Sequence, residues 1–194
     1  MALPATSGQQ PFNIEDAYVW PYLAGVPSAT GGIDIPGIVQ VTGAPQNTVV
    51  EHRGDGTVLS KVATFDSIDV TVTIGKWNTN AIVALVGGTS SNGGVATNQY
   101  TRLIHRSNDA PPDCAIKAQT HSRDVDGGGT RITFPRCQPQ NIPTYGLNDQ
   151  EYQDLEVNMS AIATAGAPPA DFNMVIIEWM ETYTPFSTTY NLPV

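Results

Sequence analysis

Two carboxylates set two residues apart are the first candidates for chemistry in this sequence. Asp154 and Glu156 lie within residues 151–163, which read Glu-Tyr-Gln-Asp-Leu-Glu-Val-Asn-Met-Ser-Ala-Ile-Ala. If this stretch is a strand, the pair shares one face about 7 Å apart. That spacing suits the acid and base of a glycoside hydrolase. Any alternating acidic strand has the same spacing, however, and Tyr152 is the one aromatic residue of that parity on which a sugar could stack. A carbohydrate-binding module or glycoside hydrolase therefore stands as an alternative from a separate functional class. His105, Cys114, His121 and Cys137 are zinc-ligand types, but no Cys-x-x-Cys or His-x-x-x-His element brings them together. Ser122 beside His121 and Asp124 has the residue types of a triad without a Gly-x-Ser-x-Gly elbow. Gly127 to Gly129 is followed by no Lys-Ser/Thr pair and no helix start, so it reads as a hairpin tip rather than a phosphate cradle. Arg53-Gly-Asp-Gly56 is turn chemistry between strands. Asn158-Met-Ser160 matches a glycosylation acceptor by pattern alone. The expectation is a protein with no catalytic residue, no metal and no cofactor.

Charge narrows the partners. The 194 residues carry a net charge of −9 although only 14% are charged. All nine Lys and Arg fall between Arg53 and Arg136, and residues 137–194 hold seven acids and no base. Gripping nucleic acid needs clustered cations, so this chain is suited instead to a surface that phosphates slide past. The N-terminus has neither a basic n-region nor an apolar h-region, and no run approaches a membrane span. No classical export and no membrane partner are expected. Two cysteines are too few for a disulfide framework.

The elements that would position these residues are mostly strands. In 151–163, Leu155, Val157, Met159 and Ala161 occupy one parity, and Asp154, Glu156, Asn158 and Ser160 the other. Thirteen residues would span about 40 Å. Residues 165–171 break the run with Gly and Pro. Residues 172–183 then resume as a second long strand, apolar on both parities and so expected to be covered on both sides. The two arms predict one large hairpin. Residues 67–74 alternate cleanly, with Ile68, Val70, Val72 and Ile74 inward and Asp69, Thr71 and Thr73 outward. A helix is predicted over 78–86, capped by Asn78 and closed by Gly87. Short strands are expected at 15–20 (ended by Pro21), 38–42, 48–53, 57–63 and 99–105, with loops at 24–32, 43–47 and 89–94. A second hairpin, 113–121 with 130–138, sets Cys114 opposite Cys137. They are read as two reduced thiols, able to bridge in an oxidising medium if the pairing geometry allows. Together these predict an all-β fold with one flanking α-helix, a β-sandwich or open barrel, in a single domain over residues 1–194. Residues 1–14 form an arm and 184–194 a tail.

With no chemistry to serve, an acidic strand face suits a channel wall, because long hairpins from several copies can close edge to edge into one barrel. The sequence resembles the major tail tube proteins of long-tailed, siphovirus-type bacteriophages. The likeness lies in Asn13-Ile-Glu-Asp-Ala-Tyr-Val-Trp-Pro21, the following loop with Pro36-Gly37, the strand and helix of 68–86 with their Gly-Gly exit, and the closing long hairpin. The resemblance implies a homo-oligomer of hexameric rings stacked into a tube, its barrel taking four strands from each subunit. It also implies a negatively charged lumen passed by genomic DNA once the tape-measure protein has left, and a location in the virion tail after assembly in the host cytoplasm. Carried onto this chain, the lumen-facing candidates are Asp154, Glu156, Asn158 and Ser160, with Asp69, Thr71 and Thr73 on a second strand. Residues 1–14, 184–194, 24–32 and 122–129 are candidates for ring-to-ring contacts. A capsid decoration or tail-completion protein is the nearest alternative.

Overall fold

The computed structural model describes residues 11–23, 25–54, 57–95, 97–122, 128–146, 154–164, 174–180 and 183–190. Its centre is an antiparallel pair. Strand β5 (Thr57–Ile74) and strand β10 (Leu155–Ala161) meet residue for residue, Leu155 opposite Ile74 through Ala161 opposite Ile68. Their apolar parities therefore fall on one face, where Val70, Val72, Ile74, Leu155, Val157, Met159 and Ala161 are fully buried. Each large side chain buried in this way contributes roughly 1.5–3 kcal/mol. The helix α1 (Thr79–Val86) packs Ile82, Leu85 and Val86 into the same core. Its ends are those the sequence predicts: the Asn78 side chain accepts from the Asn80 amide at 3.0 Å, and Gly87 closes the helix at φ 83°.

From that pair the sheet grows outward. On one side β5 joins β4 (Ile38–Gly54), which is the sheet edge. On the other, β10 joins β9 (Gly129–Pro139), then β8 (Cys114–Ser122) and β1 (Pro11–Leu23). Short strands β2 (Val26–Pro27) and β3 (Ile33–Asp34) line β1, and β11 (Ile176–Met180) lines β9. The sheet curls until β1 touches β4, so that Ala17 and Val19 share the core with β5 and β10. A separate ribbon pairs β6 (Thr89–Gly93) with β7 (Tyr100–Ile104). The class is all-β with one helix. Its core is wrapped by one curled sheet rather than enclosed between the two of a sandwich.

Several sequence expectations need correction. The large hairpin of residues 151–163 and 172–183 is absent: within the described residues the strands are seven and five residues long. Both run antiparallel to β9, β10 against residues 137–139 and β11 against 129–133. They are thus two segments of one interrupted path along the same edge, and cannot be each other's partners. An overlong hairpin does exist, but it is β4 with β5, of 17 and 18 residues. Residues 43–47 do not break it, because Pro45 lies on an edge strand, where a missing N–H is tolerated. Pro21 does not end β1, which runs to Leu23, and residues 11–14 of the expected arm belong to that strand. Residues 89–93 form a strand, not a loop.

Candidate functional site

The outer face of the central strands collects the seven polar residues singled out above. Register sets Glu156 opposite Thr73, Asn158 opposite Thr71 and Ser160 opposite Asp69. Directly opposed residues share a face, so six of the seven form two adjoining columns. Asp154 stands exposed just before β10 begins. The columns extend onto β4 through Thr42, opposite Thr71, and onto β9 through Gln138, opposite Ser160. The polar face thus spans four neighbouring strands, β9, β10, β5 and β4. Its carboxylates are held by neutral donors. Gln46 Nε2 donates to Asp69 Oδ2 at 2.7 Å, and Gln140 Nε2 donates to Asp69 Oδ1 at 3.1 Å. Asn158 Nδ2 donates to Glu156 Oε1 at 3.0 Å, while Asn158 Oδ1 accepts from Thr71 Oγ1 at 3.0 Å. These amide donors fix the orientation of the Asp69 and Glu156 carboxylates. The arrangement is a hydrogen-bonded surface rich in carboxylates.

The second feature is one the sequence reading missed. β10 accompanies β5 only from Ile68 to Ile74. Residues 46–54 and 57–67 are paired with one another alone among the described residues, a two-stranded ribbon extending about 30 Å at the usual rise per residue. A bulge where Asn47 meets Phe65 leaves Asp66 as the extra residue on β5 and reverses the parity of that strand beyond it. Past the bulge, one side carries Thr48, Val50, His52, Ser60, Val62 and Thr64, and the other Asn47, Val49, Glu51, Lys61, Ala63 and Phe65. Both sides are uncovered: Val50 is 62% and Val62 57% exposed on one, Phe65 68% on the other. Polar contacts on the ribbon, Thr48 with Asp66 and Lys61 with Glu51 at 3.5 Å, are local. The available signal was adjacent apolar residues of opposite parity, Val49 beside Val50 and Val62 beside Ala63.

On β11 the expectation of two covered faces fails. Trp179 is 63% exposed and Ile177 is exposed beside it. On the other parity Glu178 meets Arg131 at 3.7 Å. Glu181 and the 165–173 turn lie outside the described residues.

The tail is held by its own chain. Gln119 Nε2 and Arg131 Nη2 donate to the Thr184 carbonyl at 2.9 and 3.2 Å, and Trp20 Nε1 donates to the Thr188 carbonyl at 3.0 Å. Tyr183 stacks on His121, Phe186 meets Tyr18 edge-on, and Tyr190 sits against Trp20 with Lys117 Nζ 4.6 Å above its ring. The loop at 25–32 joins this strap, with Gly32 N donating to Thr188 O and Tyr190 N to Ala29 O. Residues 184–190 are therefore anchored on their own subunit. Residues 1–10, 123–127 and 191–194 lie outside the described residues. Burial under the strap, with Arg131 nearby, lowers the pKa of Lys117 to about 8.

The zinc-ligand types are dispersed. His105 hydrogen-bonds the Tyr145 hydroxyl at 3.0 Å and His121 lies 3.4 Å from Glu15. Among the described residues no three His, Cys, Asp or Glu gather as a metal site, and no helix is long and apolar enough to cross a membrane.

No protein-family model and no curated protein matches the sequence. Among solved structures, the chain is similar to the tube-terminating cap of the anti-feeding prophage, at 14% identity and a TM-score of 0.44, over 92% of this chain and 99% of that one. It is similar also to the PVC sheath/tube terminator of an extracellular contractile injection system in its extended state, at 14% identity and a TM-score of 0.42, over 89% and 99%. Likeness of this degree leaves the function to rest on the geometry above.

Proposed function

We propose that this chain is a structural protein of a bacteriophage-type tail, the major tail tube subunit. Copies of it would join into stacked hexameric rings around an anionic channel, located in the virion and assembled in the host cytoplasm. The observation that carries the proposal is the β4–β5 ribbon with apolar side chains bare on both faces. An isolated two-stranded ribbon is marginal in water, and a free edge with exposed valines invites pairing with another chain. Neighbouring copies of the same chain, one against each face, would cover both and yield a symmetric assembly. The polar face supports the channel. It spans four adjacent strands, the number each subunit gives to the barrel in the family the sequence resembles. Its carboxylates would repel a passing polyanion inside a low-dielectric wall. The implied partners are other copies of this chain, the tape-measure protein and genomic DNA that slides through without specific binding. The reading requires no catalysis and no cofactor.

Negative-stain microscopy with sedimentation velocity on the purified protein tests this. Rings that stack into tubes are expected. Single rings or trimers that never stack would make the chain a tail-completion or capsid decoration protein, and a monomer at high concentration would overturn self-assembly. Replacing Asp154 and Glu156 together by Lys should leave tubes intact and impair DNA ejection from virions carrying the variant; unimpaired ejection would remove these residues from the channel wall. Glycan binding abolished by Asp154→Asn would favour the carbohydrate alternative.

A further inference from the structure

Cys114 and Cys137 are direct cross-strand partners on β8 and β9. Direct antiparallel partners have Cα atoms about 4.5–5.5 Å apart, within the span a disulfide bridges, and an irregularity of register between Cys114 and Ile116 gives the pair local freedom to adjust. Both side chains point into the core and are fully buried as free thiols. Burial pushes both thiols well up in pKa, Asp113 raises both further, and Cys114 adds to the shift of Cys137.

We propose that Cys114 and Cys137 are a latent cross-strand disulfide, open while the protein is kept reduced and closed when it passes into an oxidising medium. The reaction is a two-electron exchange with a small-molecule disulfide such as oxidised glutathione. One thiol loses its proton and attacks, releasing one glutathione and leaving a mixed disulfide. The second thiolate then displaces the other glutathione, so two protein thiols become one disulfide and two glutathione thiols form. Because both sulfurs are buried and protonated, closure waits on local opening of the β8–β9 hairpin and is slow in the native state. Once formed, the bond ties the two strands across a loop of roughly 20 residues and raises the thermal midpoint by roughly 5–10 °C. The inference does not depend on the tube reading.

The test is oxidation of the full chain by oxidised glutathione, in buffer and again during refolding from denaturant. Intact-mass spectrometry, a peptide map and thermal melting provide the readouts. Expected are a loss of two hydrogens per chain, a Cys114–Cys137 cross-linked peptide, faster closure in mild denaturant and a higher melting point. Cys114→Ser should instead gain a single glutathione during refolding. Wild-type protein that refolds to its native circular dichroism with two glutathiones attached, or with both thiols free, would overturn the proposal. So would an oxidised form that melts below the reduced one.

Discussion

The two halves of β5 are one strand with two different surroundings. From Ile68 to Ile74 the apolar residues keep one parity, and that parity is buried against α1 and β10. From residue 57 to residue 67 apolar residues fall on both parities, and those at 62 and 65 are bare. A strand apolar on one side needs one cover, which a single chain supplies. A strand apolar on both sides needs two, and past Ile68 the described residues supply neither. β11 repeats the pattern, with Trp179 exposed despite an apolar environment in sequence. The outer face of β8 differs again: Lys117 and Gln119 lie beneath the 183–190 strap and are buried by the subunit's own tail. One-sided patterns thus report the fold of the subunit, and two-sided ones report what lies beyond it.

Charge insertion gives the widest separation between the two halves. Val72→Asp puts an unpaired carboxylate into the core and should cost at least about 4 kcal/mol, enough to remove soluble folded protein. Val50→Asp with Val62→Asp should leave the melting of the dissociated subunit within about 0.5 kcal/mol of wild type, and abolish assembly in sedimentation velocity. A ribbon variant that unfolds like the core variant would make the ribbon part of the subunit core. Truncation sharpens the contrast between β10 and β11. Leu155→Ala should cost about 2–5 kcal/mol in denaturant unfolding, whereas Trp179→Ser should cost under about 1 kcal/mol and show its effect in assembly alone.

The smallest effect concerns the strap. In the folded state Lys117 titrates at about 8, against 10.5 for an ordinary lysine. Between these values the unfolded chain holds a proton that the folded chain has released, so Lys117 contributes a rise in stability with pH across that window, against which the buried thiols Cys114 and Cys137, pushed up by burial, subtract stability. Lys117→Met should remove the Lys117 contribution alone, read as a difference in melting temperature between variant and wild type that grows between pH 8 and 9.5. That range stops short of the alkaline region where Tyr22 and Tyr190, their phenols pushed up by burial, begin to subtract stability.

Much of the local structure was legible. The alternation at residues 68–74 and 155–161, the Asn78 cap with Gly87, and the facing cysteines are all as the residue pattern implies. The candidate polar residues also fall on one face, which each strand's parity predicted and the register joined. What failed were statements about partners. Two strands close in sequence, β10 and β11, were read as a hairpin although each pairs with β9. Pro45 was read as a break although its strand is an edge.

The amino-acid order alone determined which side of each core strand is oily, where the helix starts and stops, and how charge is distributed along the chain. These follow from periodicity and capping, which act within a few residues. Only the tertiary structure decided that β4 and β5 outrun the sheet, that a bulge at Asp66 reverses the ribbon's faces, and that the tail folds back over Lys117. Those outcomes depend on register between segments distant in sequence, where a shift of one residue exchanges the two faces of a strand. No local pattern encodes that choice.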